Sequence, residues 1–166
     1  MIQRLLAAGS LFFAVGAAQA DEMAFLGSLE GKWTGGGMVK IRINRLPMNV
    51  SCVFDSEASG QALSMKGTCR SLIVVSRAVG ADLKFDGANY SGTYVGPSGR
   101  PAGLTGSRRG NAINLTIRWP RLVNGDRSAN LTVQKVGQNG MRLVTTDVDP
   151  NSGESIVTSD INLRRQ

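Results

Sequence analysis

The sequence predicts an all-β fold, an antiparallel up-and-down β-barrel of about 8–10 strands with one cross-strand disulfide. Apolar and polar residues alternate with a period of two in successive segments, which is the pattern of strands with one buried face. Turn-forming residues separate these segments at roughly the 8–12-residue spacing of sandwiches and barrels. Strands joined as sequential hairpins leave two unpaired edges, and closing the sheet into a barrel is the simplest way to pair them.

The length and composition fit one globular domain. The chain has 166 residues, of which 42% are hydrophobic, and this is enough for a buried core. Its 21 glycines and 5 prolines make it rich in turns without the fixed period of collagen. The sequence has no histidine, which excludes Ser-His-Asp and Cys-His nucleophiles, histidine-ligated haem and the common zinc sites. We therefore expect a protein that binds rather than catalyses, with no cofactor and no metal.

Residues 1–20 predict a secretory signal peptide. Arg4 supplies a positive charge, an apolar run follows, and Ala18-Gln19-Ala20 forms a small-x-small cleavage site before Asp21. A membrane anchor is the alternative, but the run is shorter than the ~20 residues of a spanning helix and no lipidation cysteine follows it. The expected mature protein is a single barrel domain of residues 21–166, periplasmic or secreted, without a membrane span. Loss of Arg4 lowers the formal charge from +7 to +6.

Two alternating segments around the turn at 57–60 predict a disulfide-linked hairpin. The inward positions of the two strands are Met48, Val50, Cys52, Phe54, Leu63, Met65, Gly67 and Cys69. A hairpin centred between Gly60 and Gln61 sets Cys52 opposite Cys69 on one apolar face. Two cysteines in an oxidising compartment are expected to pair, and this pairing removes both sulfurs from nucleophilic chemistry.

The other predicted elements follow in order along the chain. Further strands are expected at 38–43, 72–75, 89–95, 102–108, 111–119, 128–136, 141–148 and 155–163. Two segments, 23–29 and 76–83, are compatible with short helices. A two-residue turn at Asn124-Gly125 would pair the inward-facing residues of one strand with the outward-facing residues of the next. We therefore expect a longer loop or a bulge there. At Asn139-Gly140 a two-residue turn is predicted, which opposes Leu131 to Val148.

The start of the first strand carries a family resemblance. Gly31-Lys32-Trp33 resembles the Gly-x-Trp opening of the lipocalins and the wider calycin group of up-and-down barrels. The resemblance implies that Trp33 closes the barrel floor and that an arginine of the last strand, Arg164 or Arg165, packs over it. The alternative for Trp33 is an ordinary core aromatic residue.

A second, looser match concerns Thr146-Asp147, which lies where that family has a Thr-Asp-Tyr motif, with Val148 in place of the tyrosine. The function that the resemblance implies is binding of a small apolar or amphipathic ligand in the barrel mouth. Family members that bind haem through a histidine are excluded, since the chain has none.

A patterned strand supplies the candidate ligand site. Tyr90, Gly92 and Tyr94 share one face, and a hairpin centred on Gly99 would oppose Gly92 to Gly106. The same register would set Tyr90 opposite Arg108 and frame a gap that admits a ring or an acyl chain. The candidate ligand-binding residues are therefore Tyr90, Gly92, Tyr94, Gly106 and Arg108. The alternative is that the glycines accommodate barrel curvature.

Charge supplies a second functional hypothesis. Residues 100–142 contain eight basic residues, seven of them arginine, against one acidic residue, and we expect them to form one surface field. The candidate anion-binding residues are Arg108, Arg109, Arg118 and Arg121. Arginine suits phosphate and carboxylate groups, so an envelope glycolipid, an acidic polysaccharide or an acidic protein is a possible partner. Nucleic acid is disfavoured by export and by the scarcity of aromatic residues for stacking. The alternative is a basic face that only confers solubility.

Other chemistry is only weakly indicated. The segment from Asp147 to Thr158 partly matches a calcium-binding loop, but Gly153 is one place late and Thr158 stands where glutamate is required. A turn is the favoured interpretation. Asp55 and Glu57 could form a carboxylate pair, but two acids beside a hairpin turn are more often its solvated rim. No catalytic residue is therefore predicted.

Overall fold

The computed structural model describes residues 14–71 and 75–166, with side chains from Ala18 onward. One helix, α1 (Ala14–Leu29), precedes ten strands. The strands are β1 (Gly31–Val39), β2 (Met48–Ser59), β3 (Ala62–Ser71), β4 (Ser76–Phe85), β5 (Tyr90–Val95), β6 (Pro101–Arg109), β7 (Ala112–Val123), β8 (Asp126–Val136), β9 (Gly140–Val148) and β10 (Ser155–Arg165). Most of the predicted signal peptide, residues 1–13, lies outside the described residues, and the rest forms the first part of α1.

The ten strands form one closed antiparallel barrel in which each strand pairs with its neighbours in sequence. Pairing of β1 with β10, from Trp33 opposite Arg165 to Val39 opposite Ser159, joins the two ends of the sheet. The predicted fold class, an up-and-down barrel with one disulfide, is therefore confirmed. In the described part of the chain, no helix combines the length and the apolar character needed to cross a bilayer.

Up-and-down connections place alternate loops at the same end of the barrel. We call the floor the end that carries α1 and the β2–β3, β4–β5, β6–β7 and β8–β9 turns. The mouth is the opposite end, formed by the β1–β2, β3–β4, β5–β6, β7–β8 and β9–β10 loops. The floor is densely packed, since Leu26 and Leu29 of α1, Trp33 of β1 and Ile113 of β7 are all fully buried.

The hairpin of β2 and β3 has the predicted register. Cys52 lies opposite Cys69 and Phe54 opposite Gly67, and the two cysteines form a disulfide with their Cα atoms 4.1 Å apart. A side chain on Gly67 would occupy the position of the Phe54 ring, because its Cβ would collide with that ring. The period-two pattern was therefore sufficient to predict both the pairing and the disulfide.

Two expectations about helices have opposite outcomes. The helix over 23–29 is confirmed as the last part of α1. The helix over 76–83 is wrong, because this segment forms β4 and pairs along its length with β3. Val79, Leu83 and Phe85 alternate toward the interior, and this period-two pattern favours a strand. Of the strand expected at 72–75, residues 72–74 lie outside the described residues, and Val75 is not in a strand.

The two register predictions for the later hairpins also differ in outcome. The expected irregularity near Gly125 is present, because the β7–β8 register shifts between Arg118 and Val123. The two-residue turn at Asn139-Gly140 is wrong. A three-residue loop connects Val136 to Gly140, and Leu131 lies opposite Thr145. Gly137 takes the left-handed conformation that this loop requires, with φ of 55°.

Candidate functional site

Trp33 forms the centre of the floor. Its indole Nε1 donates a hydrogen bond to the carbonyl oxygen of Leu29 at 3.0 Å, which ties the end of α1 to the first strand. The guanidinium of Arg165 lies 4.4 Å from the centre of the indole ring, within cation–π range. Arg165 also donates hydrogen bonds to the carbonyl oxygens of Ser28 and Glu30. Of the two arginines that the family resemblance proposed, Arg165 packs over the tryptophan and Arg164 is exposed.

A polar network holds α1 against the barrel beside this tryptophan. The Tyr90 hydroxyl donates to Glu22 Oε1, and Arg108 Nε donates to Glu22 Oε2 at 2.9 Å. Arg108 also forms an ion pair with Asp21, and its guanidinium lies 4.6 Å from the centre of the Phe25 ring. Tyr90 and Arg108, which were predicted to frame a ligand gap, thus anchor the helix at the floor.

The predicted register of the β5–β6 hairpin is wrong by two residues. Tyr90 lies opposite Gly106, and Gly92 lies opposite Leu104. The connecting loop runs from 96 to 100, with the left-handed residue Gly99 near its end, so the hairpin is centred on Ser98. The two glycines therefore do not face each other, and the proposed two-glycine gap is not formed.

Gly92 and Gly106 have another role, which is the alternative given above for these glycines. A Cβ on Gly92 would collide with the carbonyl oxygen of Asp82, and one on Gly106 with that of Asn114. Both glycines therefore lie where a neighbouring strand passes closely. This supports the interpretation that they accommodate curvature of the barrel wall.

The phenol of Tyr90 leads to a prediction about alkaline pH. Burial raises its pKa above the ordinary value of 10.0, and the hydrogen bond to Glu22 and the charge of that group add to the shift. The unfolded chain ionises this group near pH 10 while the folded chain keeps it neutral, so its contribution to stability is complete below pH 10 and is lost above it.

We expect the free energy of unfolding to fall between pH 10 and 11 more steeply in the wild type than in Tyr90→Phe, by up to ~1.4 kcal/mol per pH unit. Urea unfolding at pH 9, 10 and 11 measures this difference. Equal slopes in the two proteins would show that Tyr90 ionises as readily in the folded state as in the unfolded one.

The mouth differs from the floor, because most apolar side chains of its inner wall are only partly buried, and Arg77, Thr145, Asp147 and Ser159 share the same inward face. We call this layer the cup. Its members are the partly buried residues Val39, Val50, Cys69, Val79, Ala81, Tyr94, Trp119 and Leu143, which pack on the fully buried core below. Core residues directly beneath, such as Leu104 and Ile117, are at most 2% exposed. Most of the partly buried apolar residues that pack on the core therefore lie in the upper part of the barrel, and Phe25 and Ala58 are the floor members of this set.

Two aromatic residues define one side of the cup. Tyr94 and Trp119 pack edge to face, with ring centres 5.8 Å apart. Trp119 Nε1 is buried and has no hydrogen-bond partner within the described part of the chain. Burial raises the pKa of Tyr94 to about 12, so its hydroxyl is a neutral donor at physiological pH. Tyr94 was among the predicted ligand residues, whereas Trp119 was read only as a strand residue.

A polar contact ties three mouth loops together. Asn124, at φ of 54°, donates through Nδ2 to Asp147 Oδ2 at 2.6 Å. Its Oδ1 accepts a hydrogen bond from the Ile43 amide at 3.4 Å. In the β9–β10 loop, Asp149 accepts a hydrogen bond from the Asn151 amide at 2.9 Å, as expected for a turn. Asn124 was not predicted as a site residue, because no sequence pattern indicates which side chain reaches across three strands.

The four candidate anion-binding arginines lie at opposite ends of the barrel. Arg108 and Arg109 end β6 at the floor, whereas Arg118 and Arg121 lie in the mouth half of β7. The seven residues of β7 from Ala112 to Arg118 alone span ~20 Å. Arg108 is also paired with two carboxylates, so these four residues do not form one site.

The basic excess gathers instead at the mouth. There, nine basic residues outnumber four acidic ones. The basic residues are Lys40, Arg42, Arg45, Arg70, Arg77, Arg100, Arg118, Arg121 and Arg127, and the acidic ones are Asp126, Asp147, Asp149 and Glu154. Loops that are far apart in sequence contribute to this set. A count of charges along the chain cannot show that these loops meet at one end of the barrel, so it assigned the positive charge to residues 100–142 alone. The mouth therefore combines an apolar cup with a positively charged rim.

A search of solved structures finds the same architecture. The crystal structure of Rv2717c from M. tuberculosis superposes with a TM-score of 0.66 at 16% sequence identity, covering 87% of this chain and 97% of that one. At this identity the similarity shows the fold alone, and the ten-strand barrel is consistent with a lipocalin-like or calycin-like architecture. No protein-family profile matches the sequence, and no curated protein matches it significantly.

Proposed function

We propose that this protein is a non-catalytic binding protein that takes a small apolar or amphipathic ligand into the cup. The observation that carries the proposal is the set of partly buried apolar residues of the cup, together with the indole N–H of Trp119, which has no acceptor among the described residues. A buried donor without an acceptor costs roughly 1–3 kcal/mol, and an acceptor on a ligand would recover this cost. Apolar lining with a few polar groups is the usual composition of a small-molecule site.

The same geometry favours a particular chemical class of ligand. Trp119 Nε1 and the Tyr94 hydroxyl are both donors, so the polar group of the ligand should be an acceptor such as a carboxylate. The basic rim would attract such an anion and orient it toward the solvent side of the cup. An apolar chain or ring bearing an acidic group satisfies both requirements.

Titration with 8-anilinonaphthalene-1-sulfonate, an apolar ring system with a sulfonate, tests the proposal. We expect saturable one-to-one binding that weakens ~10-fold in Trp119→Phe, which retains the ring but loses the donor. The matched control is Tyr90→Phe, which removes a polar group from an aromatic residue at the floor and should bind the probe like the wild type. Absence of saturable binding, or equal weakening in both variants, would contradict the proposal. Near-ultraviolet circular dichroism must show that both variants keep native tertiary packing, because partly folded states with exposed apolar surface also bind this dye.

Export is part of the same proposal. Among the residues of α1 whose side chains are described, the contacts that fix the helix to the barrel come from Asp21 and later residues. Removal of residues 1–20 would therefore keep Glu22, Leu26 and Leu29 at the floor. The disulfide agrees with an oxidising compartment. The intact mass of the protein from its own host should correspond to a chain that begins at Asp21.

A second candidate function is binding of an anionic envelope component through the basic mouth. The specific observation in its favour is the formal excess of five positive charges among the mouth residues. The four arginines first proposed for this role do not support it as a group, because two of them lie at the floor.

A further inference from the structure

We propose that the mouth docks onto an anionic lipid surface, with apolar side chains of the β1–β2 loop and of the mouth end of β7 entering the interface. This inference rests on the second candidate function, which it narrows to a lipid surface, and it holds whether or not the cup takes a ligand. It rests on three features of the mouth, namely its exposed apolar side chains, the contacts that hold its loops together and its charge.

The first feature is the position of the exposed apolar side chains. Among the described residues, nine large hydrophobic side chains are exposed, and six of them lie at the mouth. The mouth members are Ile41, Leu46, Val75, Leu122, Val148 and Val157. Leu46 is 89% exposed, Ile41 69% and Leu122 66%, so the first two project from the β1–β2 loop and the third from the end of β7. Such side chains cost free energy in water and are stabilised when an apolar phase covers them.

The second feature is that the loops form one connected rim. The hydrogen bond from the Ile43 amide to Asn124 joins the β1–β2 loop to the β7–β8 turn. Asn124 in turn holds Asp147 at the end of β9. Gly125 packs on Pro150 of the β9–β10 loop so closely that a Cβ there would lie 2.6 Å from Pro150 Cγ. Ile41, Leu46 and Leu122 therefore belong to a single surface.

The third feature is the arrangement of charge around these side chains. Ile41 lies between Lys40 and Arg42, Leu46 follows Arg45, and Leu122 follows Arg121. The whole mouth has nine basic and four acidic residues, whereas the floor is nearly neutral. The floor residues are Lys32, Lys84, Arg108, Arg109, Lys135, Arg164 and Arg165 against Asp21, Glu22, Glu30, Asp55, Glu57 and Asp86.

Lipid fits this surface better than a protein partner does. Apolar side chains flanked by basic ones are the pattern of interfacial membrane anchors, in which the apolar group enters the bilayer and the cation meets the headgroups. Protein interfaces instead concentrate aromatic residues in a packed centre. The most exposed apolar residues here are aliphatic and project singly, and a fluid surface can accommodate this shape.

Co-sedimentation with lipid vesicles at 150 mM NaCl is the test. The two compositions are phosphatidylcholine alone and phosphatidylcholine with 30 mol% phosphatidylglycerol. We expect binding to the anionic vesicles, weakened by added salt, and little binding to the neutral ones.

Two mouth variants separate the contributions of charge and of apolar insertion. The triple variant Arg42→Gln, Arg45→Gln, Arg121→Gln should bind about 100-fold more weakly, because each cation near the surface contributes roughly 1 kcal/mol. The triple variant Ile41→Ser, Leu46→Ser, Leu122→Ser should lose about 20-fold through lost apolar insertion.

Matched controls at other surfaces decide the interpretation. Lys84→Gln, Arg109→Gln, Arg164→Gln removes the same net charge from exposed floor residues, and Met23→Ser, Val53→Ser, Val136→Ser removes exposed apolar side chains elsewhere. Both control variants should bind the vesicles like the wild type.

Absence of vesicle binding, or equal losses in mouth and control variants, would overturn the inference. Retention on delipidated envelope protein without vesicle binding would assign the surface to a protein partner instead. Titration of the mouth variants with the fluorescent sulfonate keeps failure of docking distinct from failure of ligand binding.

Discussion

Trp33→Ala is expected to lower the free energy of unfolding by ~4 kcal/mol, because large-to-small substitution of a buried aromatic residue costs both its transfer free energy and a cavity. The side chain is fully buried at the floor, so solvent cannot fill the space from outside. The change also removes the hydrogen bond to Leu29 and the ring under Arg165. Urea unfolding followed by far-ultraviolet circular dichroism measures the loss.

Trp33→Phe is the matched control, and we expect it to cost much less, about 1–2 kcal/mol, since a ring remains under Arg165. Combining Trp33→Ala with Arg165→Gln in a double-mutant cycle isolates the contact between the ring and the guanidinium, because each single change removes one partner. A coupling near zero would mean that Trp33 acts as an ordinary core aromatic residue. A loss of less than 1.5 kcal/mol for Trp33→Ala would mean that the floor does not depend on it.

The parts of the fold predicted correctly are those governed by a local rule. The alternation around Cys52 and Cys69 fixes which side chains share a face, and a one-residue slip would move them all to the opposite face. The bulge near Gly125 followed from the same parity argument. The register errors arose where the parity rule leaves the loop length undetermined. Gly137 takes a left-handed conformation in a loop longer than the predicted two-residue turn, and the β5–β6 hairpin is centred on Ser98 and not on the left-handed Gly99.

The candidate site was predicted less well, because it depends on contacts between distant parts of the chain. Tyr90 and Arg108 carry the chemistry expected of a ligand site, but Glu22 of α1, 68 and 86 residues away, engages both. Only the closed barrel shows which loops share the mouth. Trp119 was assigned correctly to a strand face. Whether its Nε1 has a hydrogen-bond acceptor depends on neighbours that are distant in sequence, and none of the described residues supplies one.

Removing the disulfide with Cys52→Ala, Cys69→Ala is expected to cost ~3 kcal/mol. On the chain-entropy model, the bond restricts a loop of 17 residues in the unfolded chain, and its loss restores that freedom. With a urea dependence of ~1.5 kcal/mol per M for a domain of this size, the unfolding midpoint should fall by about 2 M. The wild type unfolded in a reducing agent is the control, because it lacks the bond but keeps both sulfurs.

The two measurements together assign the cause of the loss. Cys52 is 2% exposed and faces the core, so the double alanine variant also leaves a small cavity, and the reduced wild type does not. If the chain-entropy term dominates, both proteins lose nearly the same stability, whereas a larger loss in the alanine variant measures packing. A midpoint shift under 0.5 M in both would show that the pairing between β2 and β3 holds this hairpin without the bond. Because Cys69 lines the cup and Cys52 lies directly opposite it on β2, the bond joins two neighbouring strands in the wall of the proposed ligand site.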